Sequence, residues 1–430
     1  MVTLVVASRP PIAALFLQRI EGPVHLLIPA ETGHLWRAAG VDVPLHPVAS
    51  WTDYNDLAAV VAKLPVTRVI GTDELTVAAA GFLRSLLGLP GQSWDQAVAF
   101  TDKAVMKRRL REGGVPVARW AVAHSFAEAA QVAAEIGWPV VVKPRRGFCA
   151  LGTTKVTSAR QLDEFVAAGK FDGRVPAGDS ERMLQASGVY DGLTAARDGF
   201  LVERCIDVDA EFSCDIVVWQ GEPYLTLTTQ YPVTVLEAID TGNVWEGIAL
   251  PDDDPAARAV RALTLRAIEV MGLTSGQVHC EIFRTRAGDF VLGEIACRAG
   301  GAALPLLSEI LFGVNTIRAG VDIAVDREPP RARARTHRFV AVVGVPLASG
   351  QVRKVPAQAD LENLPGVLRA DVRVHEGDVY GGGLGSIGAA AYLFIEANSV
   401  DPIAARMREI RAAVEPMFVV DDLERDLSLR

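Results

Sequence analysis

The chain has 430 residues, half of them hydrophobic, with 43 Lys and Arg against 52 Asp and Glu for a formal charge of −9. That length supports roughly two to four domains with sizeable cores. The acidic balance argues against nucleic acid as the main partner, so any anionic ligand must meet local cations. Cys149, Cys205, Cys214, Cys280 and Cys297 are odd in number and never in CxxC spacing. They suggest neither a disulfide framework nor a zinc site and fit a reducing cytoplasm. The apolar run Val2 to Ala7 is too short for a signal-peptide core or a membrane span and reads as a buried strand, so no membrane is expected as a partner.

Over residues 1–100, apolar runs at Leu4–Ala7, Val24–Ile28 and Val66–Gly71 alternate with helical patterns. This predicts a parallel sheet covered by helices, a Rossmann-like arrangement. SRPPI follows the first strand where GxGxxG would stand, so dinucleotide binding is not supported. After the third strand, Thr72 or Asp73 is expected to cap a helix whose apolar face is Leu75, Ala79, Phe82, Leu83 and Leu86, with Gly88 at its end.

From Thr101 the segment TDKAVMKRRLREGGVPV offers Thr101 or Asp102 as an N-cap and spaces Lys103, Lys107 and Arg111 along one helical face. Read alone, such a face is solvated. A helix over Phe126–Ile136 precedes a buried strand, Val140–Val142, that ends in Lys143. A lysine there needs an anionic partner or a route to solvent. Gly147 and Gly152 would let the next loop fold over phosphate groups and offer its amides, with Arg145 and Arg146 adding charge. Strands follow at Phe200–Glu203 and Glu211–Trp219, turning at Gln220–Gly221. A hairpin of Gln277–Phe283 and Phe290–Ala296, with Gly288 at its tip, then carries one acid per strand, Glu281 and Glu294. An acid in an apolar strand either faces solvent, as in an ordinary hairpin, or is held by something positive. Magnesium with phosphate oxygens is one such partner. Arg298 would add a fixed cation.

These motifs, DK, then PVVVKP with its glycine loop, then VE with Glu211 eight residues on, then Glu281, Glu294 and Arg298, resemble the ATP-grasp superfamily in order and spacing over about residues 66–323. The resemblance implies an α/β (α+β) ATP-grasp fold. It divides the chain into an N-terminal Rossmann-like domain (1–100), a lid domain with the glycine loop (101–205), a large domain with the metal hairpin (206–330) and a small β-rich closing domain (331–430). It implies that Lys103 and Lys143 contact ATP phosphates beneath the loop at Gly147, and that Glu203, Arg204, Cys205 and Ile206 form the hinge that reads adenine. Glu211 matches the ribose ligand, and Glu281 and Glu294 match ligands to one or two magnesium ions, or manganese. Arg298 matches the arginine that stabilises an acyl phosphate and its tetrahedral successor. The usual ExNxR is ExAxR here, with Ala296, a variation similar to that of bacterial L-amino acid ligases.

The implied activity is an ATP-dependent carboxylate-amine ligase that joins small-molecule substrates, at least one an amino acid, and releases ADP and phosphate; related enzymes are often homodimers. A biotin-carboxylase-like carboxylase and a non-catalytic nucleotide-binding regulator, the latter prompted by Ala296, are the alternatives. His279 shares a strand face with Glu281 and either contacts substrate or packs. The Gly300-Gly301 turn and the stretch Gln230 to Glu246, with Tyr231, Trp245 and Glu246, are candidate substrate neighbours. Beyond them, GGAALPLLSEILFGVNTIRAGVDIAV reads as apolar helix and EPPRARAR as a domain junction. Strands from Arg338 follow, GGGLGSIG reads as a hairpin loop before a strand at Ala390–Ile395, and a final helix spans Pro402–Val414.

Overall fold

The computed structural model describes residues 2–30, 32–147, 150, 152–169, 171, 199–380, 388–397 and 400–421. Strands β1 (Val2–Val6), β2 (Val24–Pro29), β3 (Leu45–Val48) and β4 (Val66–Gly71) form a parallel sheet in the order β3-β2-β1-β4. All five residues of β1 are buried, which is why it reads as an apolar run broken only by Thr3, without alternation. The helix expected from Thr72 begins later, as Val77–Leu87. Residues 72–76 instead close a turn in which Asp73 Oδ1 accepts from the Leu75 N–H at 3.1 Å and Thr76 Oγ1 accepts from the Thr72 N–H at 2.9 Å. Side chains of Asp and Thr that bond nearby backbone compete with a helical start. Gly88 ends the helix at φ +63°, as expected.

The next helices are Trp94–Thr101, unforeseen, and Lys103–Glu112, capped by Asp102 through the N–H groups of Ala104 and Val105. A second sheet, antiparallel, has the order β5-β8-β6-β7 and contains β5 (Trp120–Ala123), β6 (Val140–Pro144), β7 (Thr154–Val156) and β8 (Phe200–Arg204). The third is an eight-stranded antiparallel sheet. Its members are β9 (Val208–Trp219), β10 (Glu222–Tyr231), β11 (Gly247–Ala249), β12 (Gly276–Thr285), β13 (Phe290–Ala296), β14 (Phe339–Val345), β16 (Val367–Val372) and β18 (Ala391–Ala397), in the order β13-β12-β9-β10-β11-β14-β18-β16. β11 pairs with β14, so hydrogen bonding runs without a break across the polar junction near residue 330. A small sheet of β17 (Val379–Tyr380), β15 (Gly350–Lys354) and β19 (Val419–Asp421) completes the set.

The stretch read as one apolar helix is two, Leu304–Phe312 and Thr316–Ala324, bent by 94°. Gly313 takes φ +70° at the end of the first, and Asn315 Oδ1 caps the second through Ile317 and Arg318. Among the described residues no single helix is long and apolar enough to cross a membrane. Residues 381–387, most of GGGLGSIG, lie outside the described residues. One face of the eight-stranded sheet, with Cys214, Ile216, Cys280, Ile282 and Ile295, packs on the helix Pro255–Met271 through Val260, Ala267, Ile268 and Met271. The opposite face builds the site.

Candidate active site

Strand register sets that face. Glu281 lies directly opposite Glu294 on β13 and opposite Ser213 on β9, while His279, two residues earlier, lies opposite Ala296 and Asp215. Two carboxylates set directly across a ladder repel unless a cation intervenes. Lys103 Nζ stands 3.1 Å from Glu294 Oε1, and His279 Nε2 stands 3.7 Å from Glu281 Oε1. Burial works against the Glu281 carboxylate, but His279, Arg298 and Lys143 together hold it below the usual carboxylate range. His279 is 7% exposed. Burial disfavours its charged ring, yet the 3.0 Å contact with Asp215 and the nearby Glu281 bring its pKa to about 9.

The two lysines of the motif arrive from different elements. Lys103, at the first turn of its helix, also donates to the Gly147 carbonyl at 2.7 Å, which joins the helix to the glycine loop. Gly152 in that loop takes φ +66°, a left-handed conformation that glycine reaches at low cost. Arg145, expected to add phosphate-facing charge, pairs with Asp102, the cap of the Lys103 helix, at 2.5 Å. Lys143 and Glu203 share a face of the second sheet because β6 and β8 pair with Val141 opposite Glu203. Glu203 Oε2 is 3.1 Å from Lys143 Nζ, and its Oε1 is 3.0 Å from Lys107 Nζ. Lys107 is fully buried, so the face read as solvated carries a buried cation instead. Burial pushes the Lys107 amine down against the pull of Glu203, whereas the two lysines outweigh burial and hold Glu203 below its ordinary value. Arg204 donates to the Gly137 carbonyl at 2.9 Å, and Cys205 and Ile206 follow it at the start of the connection to β9.

Glu211 is buried and accepts from the Val235 N–H at 2.9 Å, which ties β9 to the helix Val235–Asp240. Burial, then the neighbouring Glu281 charge, push its pKa up to about 8. Arg298 reaches across to the turn after β4, where its Nε donates to Glu74 Oε2 at 2.9 Å. Burial raises the Glu74 carboxyl against the opposing pull of Arg298. Beside this pair opens a cavity of about 1690 Å³ whose walls include Glu74, Tyr231, Trp245, His279, Glu281 and Arg298. Gly300 and Gly301 line it too. Gly300 has a packing reason: a Cβ there would fall inside contact distance of Asp215 Oδ1 and 3.0 Å from His279 Nδ1. Glu246 does not line the cavity and instead holds Arg411 of the last helix and the Gly344 N–H.

Among the described residues no group of three or more His, Cys, Asp or Glu side chains is arranged to hold a metal alone. Glu281 and Glu294 supply two adjacent carboxylates, a donor set that suits magnesium, which takes one or two protein carboxylates and completes its shell with phosphate and water oxygens. The neighbouring ammonium groups of Lys103 and Lys143 suit the phosphates. The residues present therefore fit a magnesium nucleotide. Lys107, Asp215 and Glu74 were not read as site residues. Lys107 had a usable signal in its position one turn after Lys103; Asp215 and Glu74 become neighbours of the site only through pairing across strands and sheets.

The fold is the ATP-grasp fold. Residues 136–305 match the family model described as the ATP-grasp domain. That segment carries an ATP-grasp domain, and the chain over most of its length resembles the L-amino acid ligases. It is 27% identical over 315 residues to the L-arginine-specific L-amino acid ligase of Bacillus subtilis, covering 73% of this chain and 71% of that protein. Its fold matches the crystal structure of an L-amino acid ligase from Bacillus licheniformis with a TM-score of 0.69 at 16% identity, over 98% of this chain and 99% of the other. The biotin carboxylase domain of the Hydrogenobacter thermophilus 2-oxoglutarate carboxylase, solved with MgADP and bicarbonate, matches with a TM-score of 0.64 at 13% identity, over 97% and 90% of the two chains.

Proposed function

We propose that the protein is an ATP-dependent carboxylate-amine ligase that activates a carboxylic acid as an acyl phosphate and joins it to an amine, with an amino acid as at least one substrate. The observation that carries this reading is the opposed pair Glu281 and Glu294, met by Lys103 on one side and by the Arg298-lined cavity on the other. Phosphoryl transfer asks for charge neutralisation and in-line positioning more than for covalent help from the protein. Lys103 and Lys143 bind the nucleotide phosphates, and Glu203 through Ile206 border the adenine. Glu281 and Glu294 hold magnesium, which when bound neutralises phosphate charge. Arg298 directs its guanidinium at the carbonyl oxygen that becomes anionic when the amine attacks; loss of one such donor costs about a hundredfold to a thousandfold in rate. The loop at Gly147, held by Lys103, keeps water from the activated acid.

The test is phosphate release from magnesium-ATP across the proteinogenic amino acids, singly and in pairs, with Glu294→Ala as control. Release that requires a particular pair, yields an amide and vanishes in the control supports the reading. ATP binding without release for any pair refutes a pair of proteinogenic amino acids as the substrates and leaves either an acid outside that set or a nucleotide-binding protein.

A further inference from the structure

The cavity beside Arg298 has five cationic or potentially cationic side chains in its wall: Arg9, Arg68, Arg84, His279 and Arg298. Four of them are occupied. Arg68 pairs with Asp326 at 3.0 Å, Arg84 donates to the carbonyls of Gln92 and Val69, His279 pairs with Asp215, and Arg298 with Glu74. Arg9 differs. Among the described residues it makes no ion pair, and its Nε is buried with no hydrogen-bond partner. Asp73, which accepts from the hydroxyl of the preceding residue Ser8, also accepts from the Thr72 hydroxyl and the Leu75 N–H. A buried guanidinium donor left unmatched is costly unless a ligand supplies the acceptor.

Position tells what kind of ligand. Arg9 follows β1, and the turn bearing Glu74 follows β4, its neighbour in the parallel sheet, so both stand at the carboxyl ends of adjacent strands, where open α/β sheets bind ligands. In dinucleotide-binding folds the first such turn captures an anion with backbone N–H groups. Here Pro10 and Pro11 occupy the first two positions of the helix and remove those donors. With two of those donors gone, the Arg9 side chain adds its own, and its planar fork matches a carboxylate. Lys103 and Lys143, the lysines assigned to the nucleotide phosphates, are not in this wall.

We propose that Arg9 anchors the carboxylate of the amine substrate, so that the acceptor in ligation is an amino acid held by its own carboxyl group. This rests on the ligase reading above. The carboxylate to be activated belongs at Arg298, Glu281 and Glu294; the amine attacks from the cavity, and its far end meets the wall formed by the first sheet.

The experiment measures phosphate release at saturating magnesium-ATP and acid substrate, with the twenty proteinogenic L-amino acids and their α-amides as acceptors, for the wild type, Arg9→Ala and Arg9→Lys. The wild type is expected to prefer acids over amides. In Arg9→Ala the kcat/KM for amino acid acceptors falls roughly ten- to a hundredfold, chiefly through KM, and the preference for acid over amide collapses; Arg9→Lys keeps part of it. Equal use of acids and amides by the wild type overturns the proposal, as does a preference that survives in Arg9→Ala. Equal loss with acids and amides identifies a structural role and also overturns it. A change confined to the KM of the acid substrate, read by varying it at saturating acceptor, assigns the anchored carboxylate to the other partner and overturns the assignment to the amine. If Arg9→Ala does not fold, Arg9→Lys and Arg9→Gln carry the comparison. No release from any pair removes the amino acid pairing on which this inference rests, whereas release that is insensitive to Arg9 refutes only this inference.

Discussion

Glu203→Gln tests the charge logic of the lysine cluster without creating a void, because the two side chains are nearly isosteric. The Glu203 carboxylate spans Lys107 at 3.0 Å and Lys143 at 3.1 Å, and the side chains of all three are at most 10% exposed. At an effective dielectric of about 20, each contact carries about 5 kcal/mol of attraction. Desolvation of the three groups offsets most of it, so the net worth of the cluster is small. Removal of the anion alone is different: two cations are left buried and facing one another, a loss of about 3–5 kcal/mol. The assay is urea unfolding at pH 7 followed by circular dichroism, with ATP titration in parallel. A lower midpoint and weaker nucleotide binding are expected. The sign with pH follows from the lowered carboxyl: its stabilisation is fully present above the unfolded value of 4.5 and is lost as pH falls below it, a loss the Gln variant lacks. A midpoint unchanged to within about 1 kcal/mol, the ordinary effect of a point substitution, would refute the reasoning.

Gly300→Ala places a Cβ against Asp215 Oδ1 and 2.6 Å from Leu304 Cδ1, so a loss of about 1–3 kcal/mol and a marked drop in turnover are expected, read by thermal unfolding and phosphate release; wild-type values in both would exclude the packing account. Glu211, with its pKa near 8 against 4.5 unfolded, binds its proton in the folded state over that interval. Stability of the metal-free protein should therefore fall by up to a few kcal/mol as pH rises from about 4.5 to 8 and level off above. Glu211→Gln should flatten that slope, and an identical slope in the variant would show that other groups cause it. Glu294→Ala should abolish magnesium-dependent phosphate release, measured directly, while its circular dichroism stays that of the wild type.

Much of this architecture was legible because periodicity and caps act locally. Val66–Gly71, Phe126–Ile136 and Phe290–Ala296 fall where patterning places them, since a buried strand needs an apolar run and each helix needs its cap. The two-residue alternation also puts Glu281 and His279 on one face, as observed. Where expectation failed, a non-local or competing local bond decided. The helix after β4 starts late because Asp73 and Thr76 spend their oxygens on the turn, and a proline within Leu-His-Pro-Val hides β3. Lys107 looked solvated because nothing in its own helix shows that Glu203, on a strand nearly a hundred residues away, lies against it.

The same non-locality explains why the site contains so many acids for a protein whose ligand is read as an anion. A cation held ready for phosphate inside a fold must be neutralised before the ligand arrives, or the folded state bears an uncompensated buried charge. Lys103 has Glu294, Lys143 has Glu203, Arg298 has Glu74 and His279 has Asp215, each pair joining residues from different elements. Ligand binding at these positions exchanges one acceptor for another rather than desolvating a free cation, which keeps the cost of binding low. Arg9 stands outside this arrangement, and a donor that the fold leaves without an acceptor is the place where a ligand's carboxylate gains most.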